Sequence, residues 1–238
     1  MKLCIPAFEN KPVIDNCSVL IVSISDVHQY SKVAQSMVFS GDSIDTDFAI
    51  SLVDEKENKY SVFKIAECLI SPLSIDFASK KIQNSFLLRV KELMRDNHEQ
   101  RTELEKGLKE IQNKALSIAE DLDVPLSIDD NWDVPRIIKS LGIEVSEEPS
   151  EQIYSLLESL ELYLRINANL RIADYYFFLG LNDYLDKNEL QQFYQEILRQ
   201  GIKAICIEHN HGSKEQSLFT KTLYIDDDFE EFMIPVKR

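Results

Sequence analysis

The sequence predicts an α/β fold interrupted by a helical segment, on three observations. Short β-branched runs of strand length alternate with helix-compatible stretches before residue 78 and after residue 142. Between them, apolar residues recur at spacings of three and four. With only 6 Gly and 7 Pro in 238 residues, the chain also favours long regular elements over elaborate loops.

In chain order, Ser18 to Ile24 (SVLIVSI) reads as a strand. Asp26 then opens a helix that runs through Met37 and stops by Gly41. Phe48 to Val53 and Tyr60 to Ile65 flank the charged tip Asp54 to Lys59 and read as two strands joined by a turn, with strand character resuming at Cys68 to Ile75. From Ser79 the period is helical, with Ile82, Phe86, Val90 and Leu93 apolar. Leu104, Leu108, Ile111, Ala115, Ile118 and Leu122 then form a short heptad seam. Two helices joined near Asp96 to Gln100 make a hairpin, with the seam packing one on the other.

Asp133 caps a further helix, with Pro135 in its first turn and Gly142 at its stop. A brief strand, Ile143 to Val145, precedes a helix beginning at Pro149 that lines up Ile153, Leu156, Leu157, Leu160 and Leu164. Strand Ala173 to Leu179, a capping-box helix from Asp186 and Glu189 to Gly201, and strand Lys203 to Ile207 complete the pattern. The expected organisation is a head made of residues 1–77 and 143–238, with a helical leg at 78–142.

The 41 acids and 26 Lys and Arg give a net charge of -15, which excludes a uniformly basic DNA-coating protein and a polybasic membrane anchor. The apolar stretch Leu3 to Phe8 is too short for a secretory leader, and the run Tyr175 to Leu181 is too short to span a bilayer. Cys4, Cys17, Cys68 and Cys206 are scattered without a C-x-x-C pair, as in a reduced, cytoplasmic protein.

A phosphate-cradling loop needs closely spaced glycines, but the nearest two, Gly201 and Gly212, are eleven residues apart. Glu208, His209 and His211 follow a strand, the place where α/β proteins set active sites. Their spacing is weak for a metal nuclease, and a solvated loop explains it as well. Between Glu120 and Asp133 stand six acids and no Lys or Arg. Such self-repulsion is relieved by a hard cation with oxygen ligands, although a plain acidic linker carries the same residues. An EF-hand is excluded, since counting from Asp121 puts Leu126 where its Gly belongs and Trp132 where its Glu belongs. Residues 80–119 hold nine Lys and Arg against six acids. That fits either mixed helix faces or a duplex-contacting surface, with Lys80, Lys81, Arg89, Lys91, Lys106 and Lys109 long enough to reach phosphates.

The order of these elements resembles the small accessory protein of type II-A CRISPR adaptation, the Csn-two family. Three segments carry the resemblance: DNCSVLIVSISDVHQYSKVA (Asp15 to Ala34), AEDLDVPLSIDDNWD followed by RIIKSLGIEV, and FFLGLNDYLDKNEL (Phe177 to Leu190). It implies an α/β head with a degenerate nucleotide-binding-like sheet formed by both chain ends, and a helical leg. It further implies a non-catalytic homotetrameric ring, held by Ca2+, that binds ends of linear double-stranded DNA without sequence preference. Such a ring assists spacer acquisition beside the CRISPR integrase and the RNA-guided nuclease, with no membrane partner. Mapped onto these motifs, Glu120, Asp123, Asp129 and Asp130 become the calcium ligands. Lys139 becomes the leading DNA contact with Arg136 beside it, while Lys80, Lys81, Lys106 and Lys109 rest on charge alone. The resemblance weakens at SKEQSLFTKTLYIDDDFEEFMIPVKR, which reads as an acidic tail. Two other functions remain open: an acidic helical adaptor that docks proteins, and the nuclease.

Overall fold

A computed structural model describes residues 1–14, 18–39, 45–119, 124, 134–146, 155–209 and 220–236. The chain divides into two compact units, Met1–Asp76 with Ser150–Arg238, and Phe77–Pro149.

The first unit is organised around β2 (Val19–Ile24), every residue of which is buried. Its parallel partners are β7 (Lys203–His209) on one side and β8 (Thr220–Ile225) on the other. Outside β7 lie β6 (Tyr175–Leu179) and β5 (Ala66–Leu69), and β9 (Glu231–Ile234) closes the other edge antiparallel to β8. The sheet order is therefore β5-β6-β7-β2-β8-β9. Near-continuous apolar runs such as VLIVSI and YYFFL suit strands covered on both faces.

Helices supply the two covers. α1 (Val27–Val38) brings Val33 and Met37 into the core with Leu20, Val22, Phe177 and Ile205. α7 (Lys187–Gln200) sets Phe193 edge-on to Phe178 at 5.2 Å. Phe177 and Phe178 are adjacent in a strand, so the two helices take opposite faces. α6 (Leu156–Leu170) packs on α7 and buries Leu157, Leu160 and Leu164. A small antiparallel sheet joins β1 (Lys2–Cys4), β3 (Ser51–Val53) and β4 (Lys59–Ser61). Cys4 and Cys206 are buried thiols.

Three sequence expectations are corrected here. The segment expected to be strand over Tyr60 to Ile65 leaves the sheet after Ser61 and forms a helical turn, α2 (Val62–Ile65). Strand at Cys68 to Ile75 gives way to β5, because Pro72 opens a 3-10 turn. The helix expected from Pro149 is described from Leu156, where the Ser155 hydroxyl and Glu158 close a capping box, while Pro149 and Ile153 lie outside the described residues. The acidic tail contains β8 and β9, and β8 is a direct neighbour of the central strand.

The second unit holds α3 (Lys80–Asp96), α4 (His98–Ala119) and α5 (Val134–Ser140). Expected strand Ile143 to Val145 is absent there, since Val145 pairs with a side chain instead of a strand.

Candidate nucleic-acid interface

The six cations expected to meet DNA stand as three pairs, one on each helix of the second unit. Lys80 and Lys81 fill the first turn of α3 behind Ser79, whose hydroxyl accepts the Ile82 N–H at 3.4 Å. Both are exposed, and no acid occupies that turn. Cations at a helix amino end oppose the macrodipole, costing roughly 0.3 to 1 kcal/mol each, so helix stability does not account for this pair. Lys106 and Lys109 are exposed midway along α4. Arg136 and Lys139 share the exposed face of α5, opposite buried Ile137.

Ion pairing divides the cations of the three helices into two groups. Arg89 pairs with Glu92 at 2.9 Å and Arg101 with Glu105 at 2.9 Å. No ion pair among the described residues engages Lys80, Lys106, Lys109 or Lys139, nor Lys91 and Lys114. Their charges are therefore available to an external anion.

Between the three helices lies a cavity of about 490 Å³, with Leu88, Met94, Leu104, Leu108, Val134 and Ile137 as its apolar lining. It shows how the heptad seam is used. Leu104 and Leu108 face the cavity, whereas Ile111 and Ile118 are 62% and 78% exposed. α5 packs on α3, and Leu104 and Leu108 are the described seam residues that line the cavity. Past α5, Val145 is gripped by Gln83 of α3, whose Nε2 donates to the Val145 carbonyl at 2.8 Å and whose Oε1 accepts the Val145 N–H at 3.1 Å. Val134 and Ile137 line the cavity with Leu88 to Arg95, whereas Val145 lies at Gln83, so this stretch runs back along α3 toward its amino end.

Glu120, Asp123, Asp129 and Asp130, the expected calcium ligands, lie outside the described residues. Their chemistry fits the ion: four carboxylates, in a stretch without Lys or Arg, are the hard oxygen donors that Ca2+ takes.

At the carboxyl ends of the parallel strands, in the first unit, a different polar group gathers. Glu208 has no exposed surface, and its two carboxylate oxygens accept the N–H groups of Leu181 and Asn182 at 3.1 and 3.2 Å. Burial, with a smaller contribution from the Asp183 charge, pushes its carboxyl up to about 8 despite those two bonds. His209 donates Nε2 to the Ser25 carbonyl at 3.2 Å and stacks at a tilt on Tyr30, 5.3 Å between centroids. The two members of the nuclease trio that are described are thus tied to the backbone, and His211 lies outside the described residues. No group of three or more metal-binding side chains occurs among the described residues.

The family described as CRISPR-associated protein (Cas_Csn2) matches residues 43–229. The chain belongs to the Cas_Csn2 family. As a Cas_Csn2 member it is CRISPR-associated, and the match takes in the whole helical unit together with β5, β6, β7 and β8 of the main sheet, leaving β2 before it and β9 after it. The structure described as "Crystal structure of Stu0660 of Streptococcus thermophilus" shares the fold, with a TM-score of 0.59 and 9% identity over 99% of this chain and 77% of that one. No curated protein matches. No described helix of this Cas_Csn2 protein is long and apolar enough to cross a membrane. Sequence reasoning missed Gln83 and the apolar cavity. Nothing in the spacing of a single glutamine signals a partner 62 residues away.

Proposed function

We propose that the protein is a non-catalytic, sequence-independent binder of linear double-stranded DNA ends, acting as a calcium-stabilised homotetrameric ring that assists CRISPR spacer acquisition. Its partners in this reading are the CRISPR integrase and the RNA-guided nuclease, in the cytoplasm. The observation that carries it is a set of six exposed lysines, Lys80, Lys91, Lys106, Lys109, Lys114 and Lys139, without a carboxylate partner among the described residues, in one helical unit of a chain with net charge -15. Membership of a CRISPR-associated family supplies the biological setting. A few cations per subunit bind duplex weakly, and a closed symmetric ring multiplies them. The acidic stretch 120–133 would hold Ca2+ beside the start of α5 and so fix the cations that α5 carries. The ion supplies charge neutralisation there and takes no part in bond making.

A mobility-shift comparison of linear with covalently closed circular duplex, in calcium and in chelator, tests this. The expected result is binding of linear duplex alone, weakened by chelator and by salt. Equal binding of both forms sinks end-threading, no binding of either favours the protein-docking adaptor, and shortened DNA restores the nuclease.

A further inference from the structure

We infer that Gln83 is a positioning residue that sets where Arg136 and Lys139 stand along α3; the inference rests on the DNA-binding reading above and adds to it how the α5 contact is registered. The Gln83 amide behaves as a one-residue ladder partner. Its Nε2 donates to the Val145 carbonyl at 2.8 Å, its Oε1 accepts the Val145 N–H at 3.1 Å, and the same Nε2 reaches the Phe77 carbonyl at 3.4 Å. Gln83 and Val145 are both partly buried, so these bonds replace water that neither group can fully reach.

α5 needs such help. It has 7 residues, well short of the roughly 12 to 15 at which an isolated helix becomes even marginally stable. Ile137 and Val134 anchor it by packing at the cavity. One apolar anchor fixes the face that the helix buries but leaves it free to slide along α3 by a ridge. The second anchor is Val145. Between them the chain turns through Gly142 at φ +68, with the Gly142 N–H on the Lys139 carbonyl at 3.1 Å and the Ile143 N–H on the Ile138 carbonyl at 3.2 Å. Two backbone hydrogen bonds close that turn, so holding Val145 against Gln83 holds the carboxyl end of α5, where Lys139 sits, in register. Calcium at 120–133 would act on the opposite end of the same short helix.

The test combines hydrogen exchange without DNA and duplex binding with it, on the full chain carrying Gln83→Ala or Gln83→Glu. In Gln83→Ala, the Val145 amide and those at the end of α5 are expected to exchange at least about tenfold faster, while the sheet amides of β2 and β7 stay unchanged and so report an intact fold. Gln83→Glu keeps the acceptor for the Val145 N–H and loses the donor, so its Val145 amide exchanges at an intermediate rate. Linear-duplex affinity in Gln83→Ala falls about tenfold. Its log-log salt slope drops by about 1.8, the counterions of two phosphate contacts, and adding Lys139→Glu lowers affinity little further. A loss of affinity from general destabilisation would leave the slope and the additivity intact, and that outcome overturns the inference. So does unchanged exchange at Val145. Wild-type protein that binds no duplex overturns the DNA-binding reading instead, and the DNA-free exchange measurement tells the two failures apart.

Discussion

Glu208 shows how one side chain couples the fold to pH. Its carboxyl is buried against the turn at Leu181 and Asn182, and burial first, the Asp183 charge second, raise it from 4.5 to about 8. Between those values the folded chain keeps a proton that the unfolded chain has lost. Stability from this group is therefore complete below pH 4.5 and is lost as pH rises through about 8. At ~1.36 kcal/mol per unit the loss is at most on the order of 5 kcal/mol. An amide in place of this carboxyl cannot ionise, so Glu208→Gln is expected to flatten this part of the stability profile between pH 5 and 9 in urea titrations. The substitution also carries a constant cost, because an amide accepts through one oxygen only. A variant profile parallel to the wild type's would show that Glu208 does not titrate in this window. Lys139 acts at the same scale by charge. Lys139→Glu should weaken linear-duplex binding about tenfold for every sequence alike and lower the salt dependence, as expected of a phosphate contact; unchanged affinity in a mobility shift would remove Lys139 from the interface.

Elements were legible where their ends are written in local chemistry. Asp186 and Glu189 announced α7, and both capping-box bonds form, with Gly201 left-handed at the far end. Asp186→Ala is expected to cost about 1 kcal/mol and lower Tm by about 2 to 4 °C for a chain of this size, measured by calorimetry. Where the ends are set by tertiary contacts, the sequence misled. Ile143 to Val145 is β-branched and apolar at both ends, yet its ladder partner is Gln83, so a strand pattern became an irregular segment. The seam is helical from Leu104 to Ile118, with Leu122 outside the described residues; Leu104 and Leu108 meet the cavity, whereas Ile111 and Ile118 are left exposed. β8 and β9 were hidden by charge, although the signal was present. Asp226 Oδ1 accepts from the N–H groups of Asp228 and Glu230 with Phe229 at φ 65, the same turn that Asp54 makes with Lys56 and Asn58 around Glu57 at φ 62. The hairpin recognised at Asp54 was written twice. For the site, cation positions on α3 and α4 were readable from composition, whereas the pairing that engages Arg89 and Arg101 and spares the lysines Lys80, Lys91, Lys106, Lys109, Lys114 and Lys139 depends on side-chain geometry.

Over the whole molecule, net charge -15 is spread unevenly, with nine Lys and Arg in residues 80–119 and six acids in 120–133. If those acids hold calcium, binding stabilises the folded chain by mass action, about 2.7 kcal/mol at a hundredfold excess over Kd. Millimolar calcium should then raise Tm, chelator should reverse the rise, and Asp129→Asn with Asp130→Asn should abolish the response. A variant that still responds would place the ion elsewhere. The tetramer is checked by light scattering in the same two buffers.

The position of β2 has one more consequence, which concerns the order in which the polypeptide leaves the ribosome. Val19–Ile24 emerges before both of its sheet neighbours, Lys203–His209 and Thr220–Ile225. A six-residue apolar strand with both edges unpaired must therefore wait while most of the chain is synthesised, including a helical unit that makes its own local contacts. Strand edges left open in this way invite wrong partners. The nascent chain is thus expected to depend on chaperone shelter until β8 is released, and a chain halted at Gly201, before β7, to remain protease-sensitive in its first unit.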